Sequence, residues 1–223
     1  MMAMALQMSR RMRQLKCRMD FAMQPLPPAG TRIRNRFNGE TFIFTHMDDE
    51  ADEVQFEVSL ERGGMLTGTG RQHLHPNADE EFIVQTGMLR VMVDGAWRML
   101  GPGESLVVTR GTPHLFRNGH DGETLFTAKF RPAHDFLRLF LNMSMNIADN
   151  PSWYDAGGEP PLLLQALALH AFRGHAYGHG IPVWLQKLLF AVLSPVALLK
   201  GYRLAMPPRS RRLLKAKPRA AKP

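Results

Sequence analysis

The sequence predicts a mainly β protein, a sandwich or barrel of short strands, followed by an α-helical extension. Between residues 80 and 118, apolar runs of four or five residues alternate with turn-forming residues, which is typical of sandwiches and barrels rather than βαβ sheets. Residues 54–60 alternate apolar and polar side chains, as a half-buried strand does. Beyond Pro132 the apolar period changes from two residues to that of an amphipathic helix.

Turn signals divide the β region into its strands. The dipeptides Asn38-Gly39 and Asp94-Gly95 each predict a hairpin, because both residue types accept the positive φ angles of a tight turn. Gly63-Gly64 turns the chain toward a further strand. The strands bounded in this way cover residues 31–37, 40–46, 54–60, 65–72, 81–85, 89–93, 97–100, 105–108, 114–116 and 125–130.

The helical region begins at residue 134. A helix over residues 134–147 turns one apolar stripe toward the barrel and leaves Arg138, Asn142 and Asn146 on its other sides. The chain is therefore divided into a disordered leader (residues 1–30), the β-barrel (31–132), a helical extension (133–205) and a basic tail (206–223).

The net charge of +8 is concentrated at the two ends of the chain. Residues 20–159 hold twelve basic and twenty acidic side chains, whereas residues 160–223 hold eleven basic side chains and no acidic one. An acidic barrel argues against a nucleic-acid surface on the barrel itself. The single cysteine, Cys17, excludes an internal disulfide and fits a reducing, cytoplasmic compartment.

Side chains that bind metals are concentrated between residues 73 and 118. His73 and His75 are two positions apart, so on a strand both imidazoles face the same side. The turn-forming run at residues 76–79 reverses the chain, which brings the carboxylate of Glu80 or Glu81 toward them. His114 lies at the start of a later strand and is the fourth candidate.

Three imidazoles and one carboxylate leave open coordination positions on a divalent first-row metal. This donor set suits iron, manganese, nickel, copper or zinc, and residue types alone do not choose among them.

The same stretch resembles the two paired motifs of the cupin superfamily. His73-x-His75, four residues, Glu80, six residues and Gly87 fit the first motif, and the second motif runs from Gly103 to Asn118. Thr109 stands where the second motif usually has proline, and Thr67 stands where the first usually has glycine.

The resemblance implies a cupin β-barrel, or jelly roll, with a metal held inside by His73, His75, Glu80 and His114. It also decides between the two glutamates, because only Glu80 keeps the six-residue gap to Gly87; Glu81 is then expected to point the other way. The same analogy implies a homodimer. Candidate wall residues of the interior are Phe82, Met88, Met92, Phe116 and Phe126.

The resemblance implies a metal-dependent enzyme acting on a small molecule, most often a dioxygenase-type oxidoreductase, in which the metal ligands are the only assigned catalytic groups. Two alternatives stay open. One is an isomerase or decarboxylase that uses the metal as a Lewis acid, and the other is a non-catalytic ligand-binding cupin associated with a membrane.

Two strongly apolar segments, residues 162–172 and 181–199, follow the first helix. The second has about the length of a membrane span, but Pro182, Gln186 and Lys187 interrupt it, so spanning is doubtful. The basic tail that follows would be attracted to anionic lipid by about 1 kcal/mol per charge. We favour association of residues 181–223 with a membrane surface over packing of both segments against the barrel or across a dimer.

The loop between these segments contains His170, His175 and His179. No cysteine or carboxylate lies nearby in sequence, and the spacing matches no metal-ligand pattern. We therefore assign no second metal site to this loop.

Overall fold

Antiparallel pairing arranges the β region in two sheets. The computed structural model describes residues 24–64 and 71–209, of which residues 26–208 form one compact unit. Three predicted segments lie wholly or partly outside the described residues. They are the leader up to residue 23, the strand over residues 65–72 except for its last two positions, and the basic tail beyond residue 209.

Eleven strands and three α-helices occur in the described ranges. They are β1 Thr31–Asn35, β2 Glu40–Phe44, β3 Val54–Leu60, β4 His73–Leu74, β5 Asp79–Thr86, β6 Leu89–Val93, β7 Ala96–Leu100, β8 Ser105–Val108, β9 His114–Asn118, β10 Thr124–Arg131, α1 Phe136–Asp149, a 3₁₀ turn Pro151–Trp153, α2 Leu162–Ala171, β11 Tyr177–Gly178 and α3 Val183–Leu199. The predicted fold class, mainly β with a C-terminal helical extension, is confirmed.

One sheet has the strand order β1-β2-β3-β10-β5-β8 and the other β11-β4-β9-β6-β7. The two sheets pack face to face over a core rich in phenylalanine: the ring of Phe82 from one sheet lies 5.5 Å from that of Phe116 in the other, measured between centroids. The last strand, β11, comes from the helical extension and pairs with β4 at the edge of its sheet.

Both predicted hairpins form, with one difference in length. In β6–β7 the pair Val93↔Ala96 leaves a two-residue turn, in which Asp94 and Gly95 have φ angles of 49° and 81°, as a tight hairpin requires. In β1–β2 the strands end sooner than predicted, because the pair Asn35↔Glu40 leaves a four-residue turn. The side-chain oxygen of Asn35 accepts the N–H of Phe37 there and replaces a further strand bond.

The polar side of α1 is buried, which the sequence pattern did not predict. Arg138, Asn142 and Asn146 are each at most 3% exposed. Arg138 pairs with Asp49 and donates a hydrogen bond to the carbonyl of Pro207, while Asn142 accepts the backbone N–H of Met206. The chain after α3 thus returns over α1. This helix is covered on one side by the two packed sheets, which we call the barrel, and on the other by the returning chain.

The helices α2 and α3 pack against each other through small and apolar side chains, among them Ala166, Leu167, Phe190 and Ala197. Within the ranges that the structure describes, no helix combines the length and apolarity needed to cross a bilayer.

Phe56 is the most useful position for a test of the core. Its ring is 1% exposed and lies within 6 Å, centroid to centroid, of four other phenylalanine rings, two of them on β2, one on β10 and one on α1. Phe56→Ala is expected to lower the free energy of unfolding by about 3–5 kcal/mol, measured by urea denaturation. Val107→Ala, at a site 54% exposed, is the control and should change it by less than about 1 kcal/mol; equal losses in both variants would contradict this account of the core.

Candidate metal centre

Four side chains converge where β4, β5 and β9 meet between the sheets. His73 pairs across the sheet with His114, while His75 follows β4 directly and Glu80 projects inward from β5. One ligand atom from each of His73, His75, Glu80 and His114 lies within 4.8 Å of the other three. All four residues singled out from the sequence are therefore brought together.

The spacing of these atoms suits ligands around one ion. Nε2 of His114 lies 2.7 Å and Nε2 of His75 lies 3.2 Å from the same carboxylate oxygen of Glu80. Nε2 of His73 lies 3.2 Å from Nε2 of His75. Ligand atoms held about 2.1 Å from a divalent metal lie roughly 3 Å apart when they occupy neighbouring positions. The donor set is compatible with iron, manganese, nickel, copper or zinc.

Backbone carbonyls set the tautomers of two of the histidines. Nδ1 of His75 lies 2.6 Å from the carbonyl oxygen of His175, and Nδ1 of His114 lies 2.9 Å from that of Thr112. A carbonyl only accepts, so each Nδ1 carries a proton and each Nε2 is the nitrogen that faces the cluster. Such an outer hydrogen bond also fixes the ring orientation and raises the basicity of a metal-binding imidazole.

The cluster holds a buried negative charge that needs a positive partner. Burial acts to raise the pKa of the Glu80 carboxyl, but the imidazoles of His114 and His75 outweigh it and place that pKa well below its usual range. Burial lowers the pKa of His73, and the charges of the other two imidazoles lower it further.

His114 shows the opposite shift. Burial lowers the pKa of its imidazole, but the charge and hydrogen bond of Glu80 more than compensate, so this pKa is raised. Without a metal, a proton on His114 therefore balances the carboxylate, and a divalent cation would take the place of that proton.

The cluster is shielded from water on most sides. His75, Glu80 and His114 are each at most 3% exposed, whereas His73 is half-buried. The rings of Phe130 and Phe136 meet the imidazole of His75 edge-on at 5.3 and 5.2 Å between centroids. The side toward His73 is thus where the cluster comes nearest to solvent.

The two glutamates on β5 separate as expected. Glu81 lies on the opposite face of the strand from Glu80, is half-buried, and has a carboxylate oxygen 3.8 Å from the ammonium of Lys129. Only Glu80 joins the histidines.

Other motif residues stabilise the turns between the strands. The side chain of Asn118 donates to the carbonyls of Leu60, Glu61 and Gly122, which ties two loops together. At Gly87 φ is +79°, and a Cβ would approach three oxygen or nitrogen atoms at 2.6 Å, so glycine is required there. At Thr109, in place of the usual proline, the turn is still closed by the N–H of Thr112 donating to the Thr109 carbonyl.

The predicted wall residues divide into two groups. Phe82, Phe116 and Phe126 are at most 5% exposed and belong to the main core, with Phe82 6.2 Å from His114 between ring centroids. Met88 and Met92 are half-buried, and the sulfur of Met92 accepts a hydrogen bond from the side chain of Gln72.

Sequence analysis missed the contribution of His175. Its carbonyl holds His75, while its own ring is occupied elsewhere: Nδ1 donates to the carbonyl of Phe172, and Nε2 accepts the N–H of Asp135. Every amino acid has a backbone carbonyl, so no residue type in the sequence could indicate this role. Within the described residues, the group of side chains that could hold a metal does not include His170, His175 or His179.

The segment that carries the His175 carbonyl is held by Gln186 on α3. The Gln186 side chain accepts the N–H of Gly178 at 3.0 Å and donates to the carbonyls of Gly178 at 2.9 Å and Ile181 at 2.7 Å. Gly178 in turn pairs with His73 through β11 and β4. The helical extension thereby reaches two ligands of the cluster.

Comparison with known proteins agrees with this architecture. The family model described as the cupin domain matches residues 57–128. The chain is similar to KdgF from Halomonas sp., at 25% identity, with 44% of this chain and 84% of that chain covered and a TM-score of 0.37.

Two further solved structures are similar at lower identity. An RmlC-like cupin from Shewanella frigidimarina is 16% identical, with 52% of this chain and 96% of that chain covered and a TM-score of 0.40. The cupin domain of an XRE-family transcriptional regulator from Enterobacter cloacae is 21% identical, with 43% and 97% covered and a TM-score of 0.35. No curated protein matches the chain.

The role of Gln186 gives a test of the outer support. Gln186→Leu keeps the side-chain volume but removes three hydrogen bonds, so the segment that carries the His175 carbonyl loosens. Metal affinity, measured by competition with a chelator, is expected to fall by about 10–100-fold. Gln85→Leu, at an exposed site on β5, should leave the affinity unchanged. Equal affinities in both variants would show that the extension does not support the ligands.

Proposed function

Because this chain belongs to the cupin superfamily, we propose that His73, His75, Glu80 and His114 hold a divalent transition metal and that the protein is a metal-dependent enzyme acting on a small molecule. The observation that supports the proposal is the convergence of three imidazoles and a buried carboxylate, with one ligand atom of each within 4.8 Å of the others and with His75 and His114 turned inward by carbonyls. The reaction class we propose is that of a dioxygenase-type oxidoreductase.

The residues of the chain would contribute binding, orientation and exclusion of water. Four protein ligands leave positions free on a five- or six-coordinate metal. Because His73 is the least buried ligand, the substrate is expected to approach from its side. The phenylalanine edges around His75 keep bulk water from the remaining sides. A redox-active metal in this site would supply the electron transfer that dioxygen chemistry needs. We assign no catalytic side chain beyond the four ligands.

The nature of the metal separates this function from its nearest alternative. Iron, copper, nickel or manganese is compatible with oxygenation, whereas zinc favours Lewis-acid chemistry, as in an isomerase or decarboxylase. A metal held tightly without any turnover would favour a non-catalytic ligand-binding protein. The apolar residues exposed on α3 are the specific observation in favour of that alternative at a membrane.

The ligand assignment is tested by elemental analysis of the purified protein. The wild-type chain is expected to hold about one metal ion, because the four ligands form a single cluster. The metal should be lost in His75→Ala and in the triple variant that replaces His73, His75 and His114 with alanine. In both, the remaining donors no longer enclose an ion. Glu81→Gln, one position from a ligand but facing away, is the matched control and should keep the metal. Full metal content in His75→Ala would refute the site.

The reaction class is tested by oxygen uptake. The wild-type protein, loaded in turn with iron, manganese, nickel, copper or zinc, is supplied with a panel of small molecules that chelate metals while dissolved oxygen is recorded with an electrode. Oxygen consumption is expected with a redox-active metal and should vanish in His75→Ala. Conversion of a substrate with zinc alone and without oxygen uptake would replace the dioxygenase by a Lewis-acid enzyme. Metal binding without any conversion would favour the non-catalytic alternative.

A further inference from the structure

The exposed surface of α3 is unusual for a helix of a folded protein. Trp184 is 67% exposed, Val192 62% and Leu199 80%. Most of the large apolar side chains that are exposed in the described residues lie on this helix or directly before it. We call this set the apolar face of α3; its members are Ile181, Trp184, Leu185, Leu188, Leu189, Val192, Val196 and Leu199.

The opposite side of α3 explains why the apolar face points outward. The helix buries Gln186, Phe190, Ser194 and Ala197, a stripe that includes two polar side chains. The three hydrogen bonds of Gln186 to Gly178 and Ile181 fix the rotation of the helix about its axis. The leucines therefore cannot turn inward without breaking these bonds. A large exposed apolar patch of this kind marks a surface that binds a partner or a membrane.

The charges around the apolar face favour one partner. Lys187, Lys200 and Arg203 are exposed at or beside it, and residues 160–223 contain eleven basic side chains and no acidic one. A second copy of the chain docked symmetrically on this face would bring the same basic residues of both copies together. An anionic lipid surface instead complements both the apolar side chains and the positive charge.

We propose that the apolar face of α3 docks in the plane of an anionic lipid bilayer. An amphipathic helix that lies in the interface buries its apolar side at the boundary between headgroups and acyl chains, while lysines at its margin stay with the headgroups. Lys187 lies at such a margin, with its ammonium 5.6 Å from the centre of the Tyr177 ring. Trp184, in the first turn, is of a residue type enriched at membrane interfaces.

The docked helix would also fix the orientation of the barrel at the membrane. Gln186 joins the buried side of α3 to Gly178, which pairs with His73 of the cluster. The barrel is thus attached to the helix through a short, hydrogen-bonded connection rather than through a free linker. This proposal does not depend on whether the cluster holds a metal.

Sedimentation with lipid vesicles tests the proposal. The purified full chain is mixed with vesicles of phosphatidylcholine alone and of phosphatidylcholine with phosphatidylserine. We expect sedimentation with the anionic vesicles only, weakened by salt because the attraction between surface charges is screened. Leu188→Asp should weaken this binding at least tenfold. Val107→Asp introduces the same charge at a site of nearly equal exposure, 54% against 57%, but on the barrel, and should bind as the wild type does.

Three outcomes would overturn the proposal: equal binding to both kinds of vesicle, no binding to either, or unchanged binding of Leu188→Asp. The molecular mass in solution, measured by light scattering, is recorded for all three proteins. A dimer that becomes a monomer in Leu188→Asp, without vesicle binding by the wild type, would assign the apolar face to a second copy of the chain instead. Circular dichroism and metal content of each variant separate loss of docking from loss of the fold or of the cluster.

Discussion

Glu80 places a carboxylate in the apolar interior of the protein, and its neighbours are arranged to stabilise that charge. Glu80 is surrounded by imidazoles and phenylalanine edges, and an ionised carboxylate there is stable only beside a positive charge. The facing sheet supplies the imidazoles from β4, from the residue that follows it and from β9. The Nδ1 hydrogen bonds of His75 and His114 turn their Nε2 atoms toward the carboxylate, where a proton or a metal ion can be shared with it. The strands bring the imidazoles to the carboxylate, and the outer hydrogen bonds orient them toward it. Both features stabilise the buried negative charge together with any cation bound there.

The helical extension is part of this arrangement rather than an appendage. Its strand β11 completes the sheet that carries His73, and the carbonyl of His175 fixes His75. On its outer side the same extension carries the apolar face of α3. The helical extension therefore both supports the buried cluster and presents an exposed apolar surface. Gln186 connects the two, because it lies on α3 and is hydrogen-bonded to Gly178 of β11.

Residues with a local signature were predictable from the sequence, and backbone or long-range partners were not. The alternation in β3 and the turn at Asp94-Gly95 follow from local geometry and predicted the β architecture. The four ligands were predicted because their spacing resembles the cupin motifs, which also decided between Glu80 and Glu81. Arg138 and Asn142 look like surface residues of α1 because their partners, at residues 49, 206 and 207, lie far from α1 along the chain. The rotation of α3 could not be predicted either: apolar side chains surround most of that helix, and a single buried glutamine decides which side faces out.

The return of the chain over α1 has a consequence for the order in which the protein can fold during its synthesis. All barrel strands up to Arg131 leave the ribosome before the residues that cover the second side of α1 have been made. Until Met206 and Pro207 emerge, the amide of Asn142 and the guanidinium of Arg138 lack part of their native contacts. The β strands can therefore pair before the second side of α1 is covered, and the cover of that helix is completed only when the last part of the helical extension has been made.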